Sequence, residues 1–448
     1  MVDTIESSFA SLVKELKQNF ARQHFIRKVG HVVRYSGLSI HVGGLQAQIG
    51  ELCKIKTSMS DRSIMAEVVA LEHNEIIVMP FGSVDGLSVG AEVTTEGQFA
   101  QLLVSEQLLG RVIDGFGKAL DDRPEISEGK WCSLKGQAIN PMQRPRIAEI
   151  LETGVRSIDG LLTLGKGQRV GIFAGSGVGK STLMGMIAKH VKADVNVIAL
   201  IGERGREVRE FIEKQLGEEG LKRSIVVVAT SDQPALSRIR AAYAALTISE
   251  YFRAKGQQVF LMMDSITRLA LARREVGLAS GEPPTARGFT PSVFAELPEI
   301  CERCGTGPGG GAITALMTVL VEGDDFNEPV SDSLRSILDG HIVLSRQIAH
   351  KAHYPAIDVL KSVSRVLPDI VSEQDRKMVA QFIQNLSLLE KNRQMVEIGA
   401  YQKGANAELD AALLLEPQMN AILRQNTGGA ARNQTMISLN KLFAVGQA

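Results

Sequence analysis

Residues Gly171–Leu183 read GIFAGSGVGKSTL, a composition and spacing suited to holding a polyphosphate. Gly175, Gly177 and Gly179 let the backbone turn its N–H groups inward. Lys180 brings a cation to the β- and γ-phosphates, and the Ser181 hydroxyl can ligate Mg²⁺. A helical pattern starts at Lys180, so the positive end of its dipole adds to the attraction. The predicted nucleotide-binding stretch is therefore Gly175, Ser176, Gly177, Val178, Gly179, Lys180, Ser181 and Thr182. One position departs from G-x-x-x-x-G-K-[ST], where Ala174 stands in place of the first glycine. That position closes the turn and touches no phosphate, so a small residue serves there.

Ligands on an open α/β sheet gather at the carboxyl ends of its strands, and two apolar runs end in polar residues. Val195–Ile201 leads into Gly202-Glu203-Arg204, and Val259–Met263 into Asp264-Ser265. Asp264 is placed to hold Mg²⁺ directly or through water. Glu203 lies one helix and one strand beyond Lys180, where a carboxylate can orient and polarise a water in line with a γ-phosphate. Its local alternative is to cap a helix predicted over Arg206–Leu216. Cys301-x-x-Cys304 and His350-x-x-His353 each resemble half a zinc site. The stretch between them far exceeds the roughly 12–15 residues of zinc-finger spacing, so no metal is assigned there.

The elements that must position these groups fall into four stretches. Asp3 and Glu6 suit a capping box ahead of Ile5, Phe9, Leu12, Val13, Leu16 and Phe20, which share one helical face. From Val29 to Thr95, short β-like runs such as Leu38–Val42, Cys53–Thr57 and Glu75–Pro80 are broken by glycines, the pattern of a small barrel. From Leu102 to Pro355, strands alternate with helices. The strand candidates are Val170–Phe173, Val195–Ile201, Ser224–Ala229, Val259–Met263, Ile313–Val321 and His341–Leu344. Their nearly continuous apolar character predicts a parallel sheet buried on both faces. After Pro355 the pattern reads as helical, with Ser372 and Asp375 as a cap and Met378, Val379, Phe382, Ile383, Leu386 and Leu389 as an apolar face. Gly305–Gly311 (GTGPGGG) reads as a mobile surface loop.

At 448 residues the chain has room for two or three domains. Hydrophobic residues are 44% and charged ones 22%, and fifty basic residues balance fifty acidic ones. Neutrality gives no global drive toward nucleic acid or an anionic membrane and favours self-association. No run reaches the roughly 18 apolar residues that span a bilayer. The start, MVDTIESSF, lacks the basic and apolar regions of a signal peptide. Four cysteines suit a reducing cytosol.

With these residues in place, the chain resembles the catalytic subunits of rotary ATPases and their homohexameric relatives over nearly its whole length. The matching segments are Thr153–Arg169 (TGVRSIDGLLTLGKGQR), Gly202–Glu207 (GERGRE), Met263–Leu269 (MDSITRL) and Tyr354–Arg365 (YPAIDVLKSVSR). Within that superfamily it is most similar to the ATPases of type III protein export. The loop AGSGVGKS, Gly281–Pro298 (GEPPTARGFTPSVFAELP) and Leu320–Asp325 (LVEGDD) carry this, together with the lack of an acidic lever in the C-terminal helices. Ile398–Gly404 (IGAYQKG) leans toward the flagellar branch over the injectisome branch.

The resemblance implies an α/β P-loop core of the RecA-like kind, an N-terminal β-barrel and a C-terminal helical domain. The divisions would be 1–25 for a regulator-binding helix, 26–97 for the barrel, 98–356 for the ATPase domain and 357–448 for the helical domain. It implies ATP and Mg²⁺, with Lys180 and Ser181 on the phosphates and metal and Asp264 supporting the metal. Glu203 would be the catalytic carboxylate with Arg204 beside it, and Tyr354 would lie against the adenine. Arg365 would be an arginine finger reaching into a neighbour's site, which requires a homohexamer. Implied partners are a peripheral-stalk-like negative regulator, a central coiled-coil stalk protein, export gate membrane proteins and chaperone–substrate complexes. The implied location is cytoplasmic, at the inner membrane. A rotary synthase subunit and a hexameric RNA translocase share the core. The loop sequence and missing lever disfavour the first. Residues 29–95 offer only Tyr35 and Phe81 for base stacking, so no nucleic-acid partner is expected.

Overall fold

The computed structural model describes residues 28–57, 63–136, 139–321, 323, 325–426 and 429–444. The amphipathic N-terminal segment lies outside the described residues. The chain divides into two compact units, one running to Ala100 and including Leu278–Glu282, the other comprising Gln101–Gly277 and Pro283 onward.

In the first unit six strands close an antiparallel barrel in the order β1-β2-β5-β4-β3-β6. They are β1 (Lys28–Ser36), β2 (Ser39–Gly43), β3 (Glu51–Lys56), β4 (Ser63–Leu71), β5 (Glu75–Pro80) and β6 (Glu92–Phe99). Alternate residues point inward, so Ile64, Ala66 and Val68 of β4 meet Val32, Ile40, Val42, Ile55, Val78 and Val93 in the barrel core. Closure leaves no strand edge to aggregate.

The second unit is built on a mostly parallel sheet. Its strands are β7 (Val112–Ile113), β8 (Arg169–Ala174), β9 (Val195–Glu203), β10 (Ser224–Thr230), β11 (Gln258–Asp264), β12 (Ala312–Leu320), β13 (Gly340–Leu344) and β14 (Ile357–Ser364). They lie in the order β14-β13-β8-β12-β11-β9-β10-β7. All six strands expected from apolar runs are present and pair in parallel. Nearly every residue of β8, β9, β11 and β12 is buried, which is why these runs lack polar alternation. The helix Ala235–Ala254 crosses β9, β10 and β11, and buried Ala241, Ala242, Ala244 and Ala245 allow close packing.

Three helices end the described chain, α1 (Glu373–Glu397), α2 (Ala407–Leu423) and α3 (Arg432–Ala444), and they pack on one another. As expected, Ser372 caps α1, its Oγ accepting from the Asp375 N–H at 3.1 Å. Phe382 of α1, Met419 of α2 and Leu439 of α3 share one continuous core with Val170, Leu183 and Met184 beside the phosphate loop. Among the described residues no helix is long and apolar enough to cross a membrane.

Three local expectations are corrected. Helical character does not begin after Pro355, because Ile357–Ser364 is a strand, pairing antiparallel with β13 at the sheet edge. Its half-buried pattern hides it from a search for continuous apolar runs. Gly305–Gly311 is a hairpin, in which Gly305–Thr306 pairs with β12 and the Gly307 N–H donates to the Gly311 carbonyl at 2.8 Å. A Cβ on Gly311 would fall 2.2 Å from the Arg253 carbonyl oxygen, so its glycine permits packing, not mobility. Arg206–Leu216 is not one α-helix, since Gly205–Glu210 is α-helical and Phe211–Leu216 is a π-helical turn.

Candidate active site

β8 delivers the phosphate loop. Ala174 is its last residue, 1% exposed and in strand conformation, so a methyl group is accepted where the consensus has glycine. Gly177 and Gly179 have φ of 77° and 86°, a region that favours glycine. The helix Lys180–His190 starts directly after Gly179. Gly175 and Val178 are buried, while Ser176, Gly177, Ser181 and Thr182 face outward at the head of that helix. The ring of Tyr354 lies against the loop, its Cδ1 and Cε1 both 3.4 Å from where a Gly179 Cβ would stand.

Three strand ends meet beside this loop. The Lys180 ammonium donates to Asp264 Oδ1 and lies 3.8 Å from Glu203 Oε1. Asp264 Oδ1 also accepts from the Thr318 hydroxyl at 2.6 Å. Glu203 and Asp264 are only 7% and 5% exposed. Burial and the neighbouring Asp264 carboxylate push the Glu203 carboxyl up to about 7, against the opposing pull of Lys180 and Arg268.

Arg268 and Thr318 complete the cluster, and motif reading did not single them out. Arg268 Nε lies 3.5 Å from Glu203 Oε1, and its Nη1 donates to the Gly202 carbonyl. Gly202 has φ 73°, and a Cβ there would come within 2.8 Å of Arg268 Cδ. Arg268 follows Asp264 by about one helical turn, a signal available in the sequence. Thr318 emerges only from strand order, because β11 and β12 pair Met263 with Met317.

Two expected residues stand apart. Arg204 is exposed and pairs with Glu207 at 3.5 Å. Arg365 follows β14, its N–H donating to the Asp339 carbonyl at 3.0 Å and its Nη2 to the Arg335 carbonyl at 3.1 Å. The Asp339 N–H in turn bonds the Arg169 carbonyl at the start of β8. Arg365 thus sits at the opposite end of β8 from the phosphate loop, a strand length of roughly 17 Å away.

Cys301 and Cys304 are buried free thiols, and burial pushes Cys304 up to about 12. Among the described residues the group spaced to ligate a metal is instead His41, Glu72 and Glu75 in the barrel, where the Arg34 guanidinium already reaches His41 Nδ1 at 3.2 Å.

Residues 154–364 match the nucleotide-binding domain of the ATP synthase alpha/beta family, and residues 32–97 match its beta-barrel domain. Residues 371–440 match the T3SS EscN ATPase C-terminal domain. A flagellum-specific ATP synthase of Bacillus subtilis is 53% identical over 402 residues, covering 90% of this chain and 92% of the relative. The chain belongs to the flagellar and type III secretion ATPases. A type 3 secretion system ATPase of Xanthomonas euvesicatoria, 49% identical, covers 86% of this chain and 87% of its own length. Among solved structures, the assembled ATPase EscN in complex with its central stalk EscO, from enteropathogenic E. coli, matches with a TM-score of 0.85. It is 42% identical and covers 92% of this chain and 99% of that one. As a member of that family the chain is an ATPase.

Proposed function

We propose that the chain hydrolyses Mg·ATP to energise or prime export of unfolded proteins through a flagellar-type apparatus, at sites completed between neighbouring copies of a homohexameric ring. The observation that carries the shared site is the placement of Arg365. Lys180, Glu203 and Asp264 converge, yet Arg365 stands at the far end of the sheet and faces outward.

In this reading the backbone N–H groups of Gly175–Thr182 and the Lys180 ammonium hold the phosphates, and Tyr354 stacks on the adenine. The hard oxygen donors of Ser181 and Asp264 suit Mg²⁺, which when bound neutralises charge on the phosphates. Glu203 orients a water and takes its proton as the oxygen attacks the γ-phosphorus and the bond to ADP breaks. Arg268 holds the Glu203 carboxylate, and Arg204 adds positive charge at the rim. Arg365 of the neighbouring copy stabilises transition-state charge, an effect worth about 10³–10⁵ in rate.

The flagellar branch is favoured by Ile398–Gly404 and by the 53% identity to a flagellar relative. Met395 near the end of α1, Ile398 just after it and Leu414 of α2 are exposed apolar residues suited to a coiled-coil stalk. Residues 1–25 would bind a peripheral-stalk-like regulator, and the C-terminal helices would meet the export gate and chaperoned substrates on the cytoplasmic side of the inner membrane.

Mixing variants tests the shared site. Arg365→Ala and Lys180→Ala are each inactive alone, and an equal mixture regains about a quarter of the ordinary rate, because some interfaces then join an intact Lys180 to an intact Arg365. No recovery at any ratio sinks the arrangement.

A further inference from the structure

Gln425 follows the end of α2 and is 6% exposed. Its side chain bridges the segment that precedes the short helix Arg156–Leu161 and the first residue of that helix. Oε1 accepts from the Arg156 N–H at 2.9 Å, and Nε2 donates to the Gly154 carbonyl at 2.8 Å. Val155, at the start of that helix, has no capping side chain of its own, so the carboxamide of Gln425 supplies the cap from the C-terminal region. The anchored segment is itself stiff. Buried Asp159 accepts from the N–H groups of Thr153 and Gly154 at 2.8 and 2.9 Å, and the Gly154 carbonyl also receives the Ala430 N–H at 2.9 Å.

The main chain of Gln425 points the other way. Its N–H donates to the Tyr354 carbonyl at 2.8 Å, and the Tyr354 ring lies against Gly179 of the phosphate loop. One residue thus joins the end of a C-terminal helix, a rigid segment of the core and the aromatic side chain beside the phosphate loop.

We propose that Gln425 is a positioning residue for nucleotide binding, its carboxamide fixing the main chain that holds Tyr354 against the phosphate loop. Movement of α2 then alters nucleotide affinity through Tyr354 without touching the reacting phosphate. This inference rests on the reading of Tyr354 as the adenine contact.

The test is steady-state ATP hydrolysis by the full chain carrying Gln425→Ala, Tyr354→Ala or both. Tyr354→Ala raises KM for ATP about tenfold. Gln425→Ala raises KM about fivefold with kcat within about twofold, and the double variant is no worse than Tyr354→Ala alone. A multiplicative rise in the double variant overturns the inference, as does an unchanged KM in Gln425→Ala accompanied only by a lower unfolding temperature. If Gln425→Ala fails to fold, Gln425→Glu is read by the same criteria. It keeps an acceptor for the Arg156 N–H while setting a carboxylate oxygen against the Gly154 carbonyl. An unchanged KM in Tyr354→Ala removes the adenine contact and this inference with it. A raised KM there beside an unchanged KM in both Gln425 variants removes this inference alone.

Discussion

Glu203 is held between opposing forces. Burial and Asp264 favour its neutral form, while Lys180 and Arg268 favour the carboxylate, and the balance lies at about 7. Only the carboxylate can take a proton from water. The rate constant kcat/KM, which reports the free enzyme, should therefore rise with pH through about 7 and level off above it. Glu203→Gln should bind ATP nearly as well as the parent yet turn over at least a hundredfold more slowly; equal loss of binding and turnover would contradict the role. The same group affects stability with a definite sign. Because its folded pKa is raised, the stability it contributes is full below the unfolded value of 4.5 and is lost as pH rises through about 7. Glu203→Gln should thus raise the unfolding temperature at pH 8 and leave it unchanged at pH 4. The convergence of Lys180, Glu203 and Asp264 was legible in sequence because each follows a strand-like apolar run. Thr318 was not, since nothing local tells a mid-strand threonine that the residue before it pairs across the ladder with the residue before Asp264.

At the level of elements, buried strands and an amphipathic helix announce themselves differently. The six central strands are readable because burial on both faces removes their polar positions. β14 escapes because a half-covered antiparallel edge strand alternates irregularly and lies where the pattern turns helical. α1 is readable through its cap and its apolar face. Replacing Ser372 with alanine leaves the first turn of α1 uncapped and should cost about 1 kcal/mol in denaturant unfolding. Phe382, fully buried in the core that α1 shares with α2 and α3, should cost about 3–5 kcal/mol as Phe382→Ala. Equal effects at the two positions would mean that α1 is held by its end and not by its face.

The whole molecule comprises a closed barrel in one unit and, in the other, a parallel sheet with a helical end whose core is continuous with that beside the phosphate loop. Its charges sum to zero, so assembly meets no long-range repulsion. ATPase rate per subunit should climb steeply with protein concentration as particle mass reaches that of a hexamer; a flat rate across that range would separate catalysis from assembly. The separation of Arg365 from Lys180 along β8 also reaches into heredity. On the proposed arrangement, a site works only when one copy gives its lysine and the next its arginine, so a copy lacking both would silence its own site and its neighbour's. In a cell making altered and ordinary chains in equal amounts, about a quarter of the sites survive, half of what a lysine defect alone would leave. Such an allele would be dominant over the healthy one, and the more so the more faithfully the rings mix.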